Sequence, residues 1–170
     1  ARTMTERARG HPNTAFAVAS MGEPLSFSDT MVTSTPDLNP IKAFVFCGQG
    51  PQHEHMGVHM YTRFAAFRNS VNASFEMVAK FHKKNFQDEY GLFNPELNGK
   101  VTKTDKGDWK VECIVIAITI FQIALFDLWV DLGVQPDVVL GHSVGEIAAM
   151  YASGALTHEK AIRTAIARSN

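Results

Sequence analysis

The stretch VVLGHSVGEIAAMYASG, residues 138 to 154, changes pattern halfway. A β-branched run ends at Leu140. Gly141, His142, Ser143, Val144 and Gly145 follow, and then small and apolar residues at helical spacing. This reads as a strand, a tight turn and a helix. A serine between two glycines at such a junction fits the G-x-S-x-G elbow, in which a sharp turn projects a nucleophile from the end of a sheet. Each position has a physical reason. The turn is strained, so Gly141 and Gly145 remove side chains that would clash across it. The helix that follows directs its N-terminal amides, beginning with that of Val144, to where a negative oxygen would develop.

The pattern upstream agrees with an α/β fold. IKAFVF, residues 41 to 46, is a short apolar run closed by CGQG and reads as a buried strand before a glycine loop. From Gly57 the spacing turns helical, and Phe64, Phe67, Val71, Phe75 and Val78 line one face as core. Residues 98 to 109, NGKVTKTDKGDW, carry turn signals and read as an exposed loop. Residues 113 to 131 form a second helix, apolar on most sides. Its segment 114 to 130 is about long enough to span a membrane. Gln122 and Asp127 interrupt it, Glu112 and Asp131 flank it, and no Lys or Arg cluster anchors it, so it reads as a buried helix of a soluble domain. GVQP ends that helix and DVVL is the next strand. The elbow helix runs to Ser153 with Gly154 as its C-terminal stop. Thr157 caps a last helix whose Ala161, Ile162, Ala165 and Ile166 face inward. Alternating strands and helices imply α/β with parallel pairing.

Residues 1 to 40 are polar and broken by Pro12, Pro24, Pro36 and Pro40, with one short strand candidate in TAFAVAS. They read as a linker, with the domain boundary near Pro40. The 170 residues are 45% hydrophobic and 19% charged, with a formal net charge of -1, which suits one globular domain. That balance offers no bulk field for nucleic acid or an anionic membrane. Cys47 and Cys113 stand in unrelated contexts without zinc or disulfide spacing, as free thiols of a reducing compartment do. No apolar secretory segment opens the chain, so the expected location is cytoplasmic. His53, Glu54, His55 and His59 are possible ligand types, but their spacing matches no metal motif, and no metal site is expected.

GHSVGE before an Ala-rich helix resembles the malonyl-CoA:acyl carrier protein transacylase family, which includes the acyltransferase domains of polyketide and fatty acid synthases. FVFCGQGPQHEHMG resembles that family's opening strand and GQGxQxxxMG loop. IFQIALFDLWVDLGVQPDVVLGHS resembles its helix, strand and elbow. Arg168 lies 25 residues after the serine, where the family places its carboxylate-binding arginine. The resemblance spans residues 41 to 170. GHPNTAFAVAS more weakly resembles the end of a linker between ketosynthase and acyltransferase.

The resemblance implies a parallel-sheet, α/β-hydrolase-like acyltransferase core, truncated before a ferredoxin-like subdomain. Residues 41 to 170 are then the N-terminal part of the acyltransferase domain. It implies Ser143 as the nucleophile, Gln49 and the Val144 amide as the oxyanion hole, and Arg168 as the partner of a malonyl carboxylate. His142 is read as a binding or packing residue of the site. The base would be a histidine further along a longer domain, so this chain alone is expected to be inactive. The substrate implied is malonyl-CoA, the acceptor an acyl carrier protein with its phosphopantetheine, and the neighbours other synthase domains such as ketosynthase. No resident cofactor is implied. An aliphatic residue at Val144 and a buried Arg168 predict malonyl over methylmalonyl, and either over acetyl. Two places depart from the family's pattern: Val115 stands where many members carry a Gln, and Cys47 precedes GQG. A serine esterase or lipase shares G-x-S-x-G, but gains nothing from GQG or from Arg168; a non-enzymatic fragment is the third alternative.

Overall fold

The computed structural model describes residues 13–14, 32–33, 41–83, 86–93 and 109–169. The chain divides into two compact units, Ala1–Ile41 and Lys42–Asn170. In the first, β1 (Asn13–Thr14) pairs antiparallel with β2 (Val32–Thr33), Asn13 opposite Thr33. The strand candidate in TAFAVAS lies outside the described residues apart from Thr14, as does the loop 98 to 109 apart from Trp109.

The second unit runs β3 (Ala43–Phe46), α1 (Val58–Arg63), α2 (Ala65–His82), α3 (Phe86–Tyr90), α4 (Val111–Asp131), β4 (Val138–Gly141), α5 (Gly145–Ala152) and α6 (His158–Ser169). β3 and β4 pair in parallel, Ala43 opposite Val138 and Phe46 opposite Gly141. Parallel strands need a long crossover, and the helices from α1 to α4 provide it. Asp137 clips the start of the ladder: its carboxylate accepts bonds from the Lys42 amide and ammonium, each at 2.8 Å. Phe44, Phe46 and Val139 pack against the helices, whereas Val45 and Leu140 on the opposite face are 71% and 55% exposed. The helices therefore cover one face of this sheet among the described residues.

α4 is the centre of the helical layer and touches α2, α5 and α6. It is long and apolar enough to cross a membrane by composition, yet two-thirds of its apolar stretch is buried within the fold. Ile116, Ile120 and Ile123 of α4 are wholly buried, as are Phe67, Val71 and Val78 of α2 and Ile162 of α6. A helix apolar on all sides is what a position between neighbours on several sides requires. The expected α2 face holds with one correction. Phe64 has extended backbone (φ −116°, ψ 116°), ends α1 and caps α2, and its side chain is exposed. That break shifts the helical phase, so Phe64 does not share the buried stripe of Phe67, Val71, Phe75 and Val78. The stop expected for α5 and the N-terminal cap expected for α6 are present: Gly154 has φ +79°, and the Lys160 amide donates to Thr157 Oγ1 at 3.3 Å.

One set of polar groups inside the helical layer is joined. Asp127 of α4 accepts from Ser70 Oγ (2.6 Å) and from the Tyr151 hydroxyl (2.8 Å). Ser74 Oγ donates to the Ser70 carbonyl at 2.9 Å and stands 2.7 Å from His158 Nε2. Ser74 has one hydroxyl proton, already committed, so His158 donates from Nε2. Burial holds the His158 pKa below the ordinary imidazole value, partly opposed by the Asp127 carboxylate. The unfolded chain therefore binds the proton first as pH falls. The stability that neutral His158 contributes is present above about pH 6.5 and lost on acidification. Urea unfolding at about pH 7.5 and 5.5 is expected to show this loss, and His158→Gln to make it shallower. An equally steep loss in the variant would show that His158 is not its source.

Candidate active site

The elbow is built where β4 hands over to α5. The His142 amide donates to the Phe46 carbonyl at 3.0 Å, which extends the β3–β4 ladder by one bond. The Gly145 amide donates to the His142 carbonyl at 2.9 Å, and the Glu146 amide to the Ser143 carbonyl at 3.2 Å. Between these bonds Ser143 takes φ +54°, a left-handed conformation rare for a side chain other than glycine. Strain of this kind persists where surrounding contacts impose it. Here they do. A Cβ on Gly145 would lie 2.2 Å from the Phe46 carbonyl oxygen and 2.6 Å from that of Cys47. A Cβ on Gly141 would lie 2.5 Å from Glu146 Cα. The two glycines flanking the serine thus let α5 start directly against the end of β3, leaving Ser143 only a cramped turn.

The amides of Gly145, Glu146 and Ile147 all donate to carbonyls of this turn. That of Val144 makes no hydrogen bond to a described residue. It is a free donor next to Ser143, as an oxyanion site requires. The Val144 side chain, in contrast, is buried in the core.

The loop after β3 runs beside the elbow. Gly48 lies so close that a Cβ there would stand 3.1 Å from Ser143 Cβ and 3.0 Å from His142 Nδ1. Gln49 follows with its side chain exposed, and no hydrogen bond joins it to Ser143 among the described residues. His142 is exposed, with its ring over Gly48. Arg168 reaches this end of the sheet from α6: its Nη1 is 4.0 Å from Glu146 Oε2. Its side chain is 46% exposed, which corrects the expectation of a buried guanidinium. The reason is its place in the last turn of α6, beyond the apolar face of Ala161, Ile162, Ala165 and Ile166.

Two contributors were not anticipated. Gln122, which looks like an interruption of an apolar run, is buried on α4, and its Nε2 donates to the Cys47 carbonyl (2.8 Å) and sulfur (3.1 Å). It braces the loop that carries Gln49. A single amide in an otherwise apolar buried helix is the sequence signal for such a strut, since a buried polar group needs a partner. Val115 is packed in the core of the same helix. Glu146 is the other, as the ion-pair partner of Arg168. Cys47 is an exposed free thiol, whereas burial, with the charges of Glu112 and Glu89, pushes the Cys113 thiol up to about 12. Among the described residues no group of three or more His, Cys, Asp or Glu side chains could hold a metal, so His53, Glu54, His55 and His59 form no such group.

A parallel strand, a left-handed serine and a helix packed on glycine make this an α/β protein with a G-x-S-x-G elbow. The chain belongs to the acyl transferase domain family, which matches residues 43–170. It is similar to a highly reducing polyketide synthase of Strobilurus tenacellus, 37% identical over 134 residues, which is 79% of this chain and 5% of that protein. The acyltransferase domain of the polyketide synthase PpsC of Mycobacterium tuberculosis has a similar structure (TM-score 0.61, 29% identity, 75% of this chain and 35% of that one). So has the malonyl-CoA:ACP transacylase of Synechocystis sp. PCC 6803 (TM-score 0.60, 25% identity, 76% of this chain and 39% of that one). The chain thus spans between a third and two-fifths of these two solved structures and a small fraction of the curated synthase.

Proposed function

We propose that this chain is the nucleophile-bearing part of an acyltransferase domain that moves a malonyl-type group from CoA to an acyl carrier protein in polyketide or fatty acid synthesis. The observation that carries the reading is a strained Ser143 at the elbow, with the guanidinium of Arg168, from a different helix, paired to Glu146 in the first turn of the elbow helix. Ser143 Oγ attacks the thioester carbonyl, and the free Val144 amide, with Gln49, holds the oxyanion. The C–S bond breaks, CoA leaves as the thiol, and an acyl ester remains on Ser143. The phosphopantetheine thiol of the carrier then attacks that ester, and Ser143 recovers its proton. The base that shuttles the proton is, on the family resemblance, a histidine of the longer domain, and the 170-residue chain by itself is inactive on this reading. Residues 1 to 40 serve as the linker to a neighbouring synthase domain such as ketosynthase, in a cytoplasmic enzyme. No resident cofactor, metal, nucleic acid or membrane enters the reaction.

Arg168 selects the acyl group. A guanidinium binds both oxygens of a carboxylate in one plane, which acetyl cannot offer. Malonyl and methylmalonyl, which both carry that carboxylate, are therefore preferred over acetyl. In the complete domain, Arg168→Ala is expected to lower the malonyl-to-acetyl ratio of kcat/KM by about tenfold or more, the worth of a charge-assisted hydrogen bond. Loading from radiolabelled malonyl-CoA and acetyl-CoA in competition measures it. Equal loading of the two by the unmodified domain would refute the assignment. Rapid release of free malonate in place of a stable acyl-enzyme would point to a hydrolase.

A further inference from the structure

Glu146 and Arg168 sit on helix ends of opposite character. Glu146 is in the first turn of α5, and its amide is bonded to the Ser143 carbonyl, so its backbone belongs to the elbow. Arg168 is in the last turn of α6. The N-terminal end of a helix carries partial positive charge and does not attract a guanidinium. The carboxylate of Glu146 reverses that local field. Arg163, on the same helix as Arg168, pairs with Glu159 one turn earlier, an ordinary surface contact. The Arg168 pair instead crosses from one helix to the other and ends in the first turn of the elbow helix.

Its geometry suits a temporary hold. At 4.0 Å it is an ion pair, longer than a charge-assisted hydrogen bond. The fork of N–H donors on Arg168 is thus not consumed by Glu146. The side chains are 46% and 59% exposed, so Glu146 can turn to water at small cost when a second carboxylate arrives.

We propose that Glu146 is a positioning residue for acyl selection: it tethers Arg168 at the elbow before substrate binds and yields the guanidinium to the carboxylate of the incoming acyl group. This rests on the reading of Arg168 as the acyl-carboxylate partner. Without Glu146 the guanidinium faces the positive end of α5 and has no anion to keep it there, so the acyl carboxylate must recruit it.

The test is steady-state loading of the complete domain from malonyl and acetyl thioesters, in Glu146→Gln, Glu146→Asp, Arg168→Ala and the Glu146→Gln/Arg168→Ala double variant. Glu146→Gln is expected to raise KM for malonyl about two- to fivefold and to lower the malonyl-to-acetyl ratio of kcat/KM by a similar factor, the range of an exposed ion pair. Glu146→Asp restores part of the ratio. In the Arg168→Ala background, Glu146→Gln changes the ratio no further. A ratio unchanged or raised in Glu146→Gln, while Arg168→Ala lowers it, overturns the tether and leaves the role of Arg168 standing. So does a parallel rise of KM for both thioesters, which is the mark of a damaged elbow. If Arg168→Ala itself leaves the ratio intact, the role of Arg168 falls and the tether falls with it.

Discussion

Ser143→Ala in the complete domain is expected to remove acyl-enzyme formation, with loading reduced by about a thousandfold or more and stability nearly unchanged. On the proposed mechanism the Ser143 hydroxyl oxygen forms the new bond, so no neighbour replaces it. The backbone at Ser143 has φ +54°, and alanine inherits the same strain. Glycine does not. Ser143→Gly is therefore expected to be as inactive as the alanine variant but more stable, by about 1 kcal/mol. Mass spectrometry after malonyl-CoA treatment reports the adduct, and urea unfolding reports the stability. An adduct that survives in Ser143→Ala would remove Ser143 from the mechanism. A glycine variant no more stable than alanine would show that the turn stores no strain.

Gly145→Ala should be strongly damaging, since its Cβ would make the tightest clash of those at Gly48, Gly57, Gly141 and Gly145. The added carbon falls 2.2 Å from the Phe46 carbonyl oxygen and 2.6 Å from that of Cys47. Both are backbone atoms at the end of a paired strand, so no rotamer change relieves the clash. The start of α5 must move away from β3, and with it the Val144 amide and Ser143. A loss of about 3 kcal/mol is expected, at the upper end for overpacking. Loading should fall with it, because the Val144 amide, the proposed oxyanion donor, is displaced. Denaturant midpoints and loading rates of the same preparation measure the two effects. Unchanged stability in Gly145→Ala would mean that α5 does not start against β3.

These two variants mark the boundary between what is readable along the chain and what is not. Both glycines and the serine are adjacent in sequence, so the elbow is legible from local pattern alone. The faces of α2 and α6 are legible for the same reason: Val71 and Phe75, or Ala161 and Ala165, repeat at the period of a helix. Phe64 fits that period equally well and fails, because one extended residue at the α1–α2 break resets the phase, and periodicity does not record where a helix restarts. The apolar run of α4 was open to two readings, since a membrane and a protein interior make the same demand on a helix. Its neighbours α2, α5 and α6 bury it within the fold.

By itself, the sequence determined the α/β class, the strand–serine–helix elbow and the inward faces of the long helices. Each rests on interactions within a few residues, which local spacing encodes. Only the tertiary structure decided which distant groups meet there. Gln122 reaches the Cys47 carbonyl and braces the Gln49 loop. Gly48 lies against Ser143. Arg168 arrives half-exposed and paired with Glu146, not buried. These contacts join segments far apart along the chain, and their distances depend on how the helices pack on the sheet, a quantity that no local pattern of residues contains.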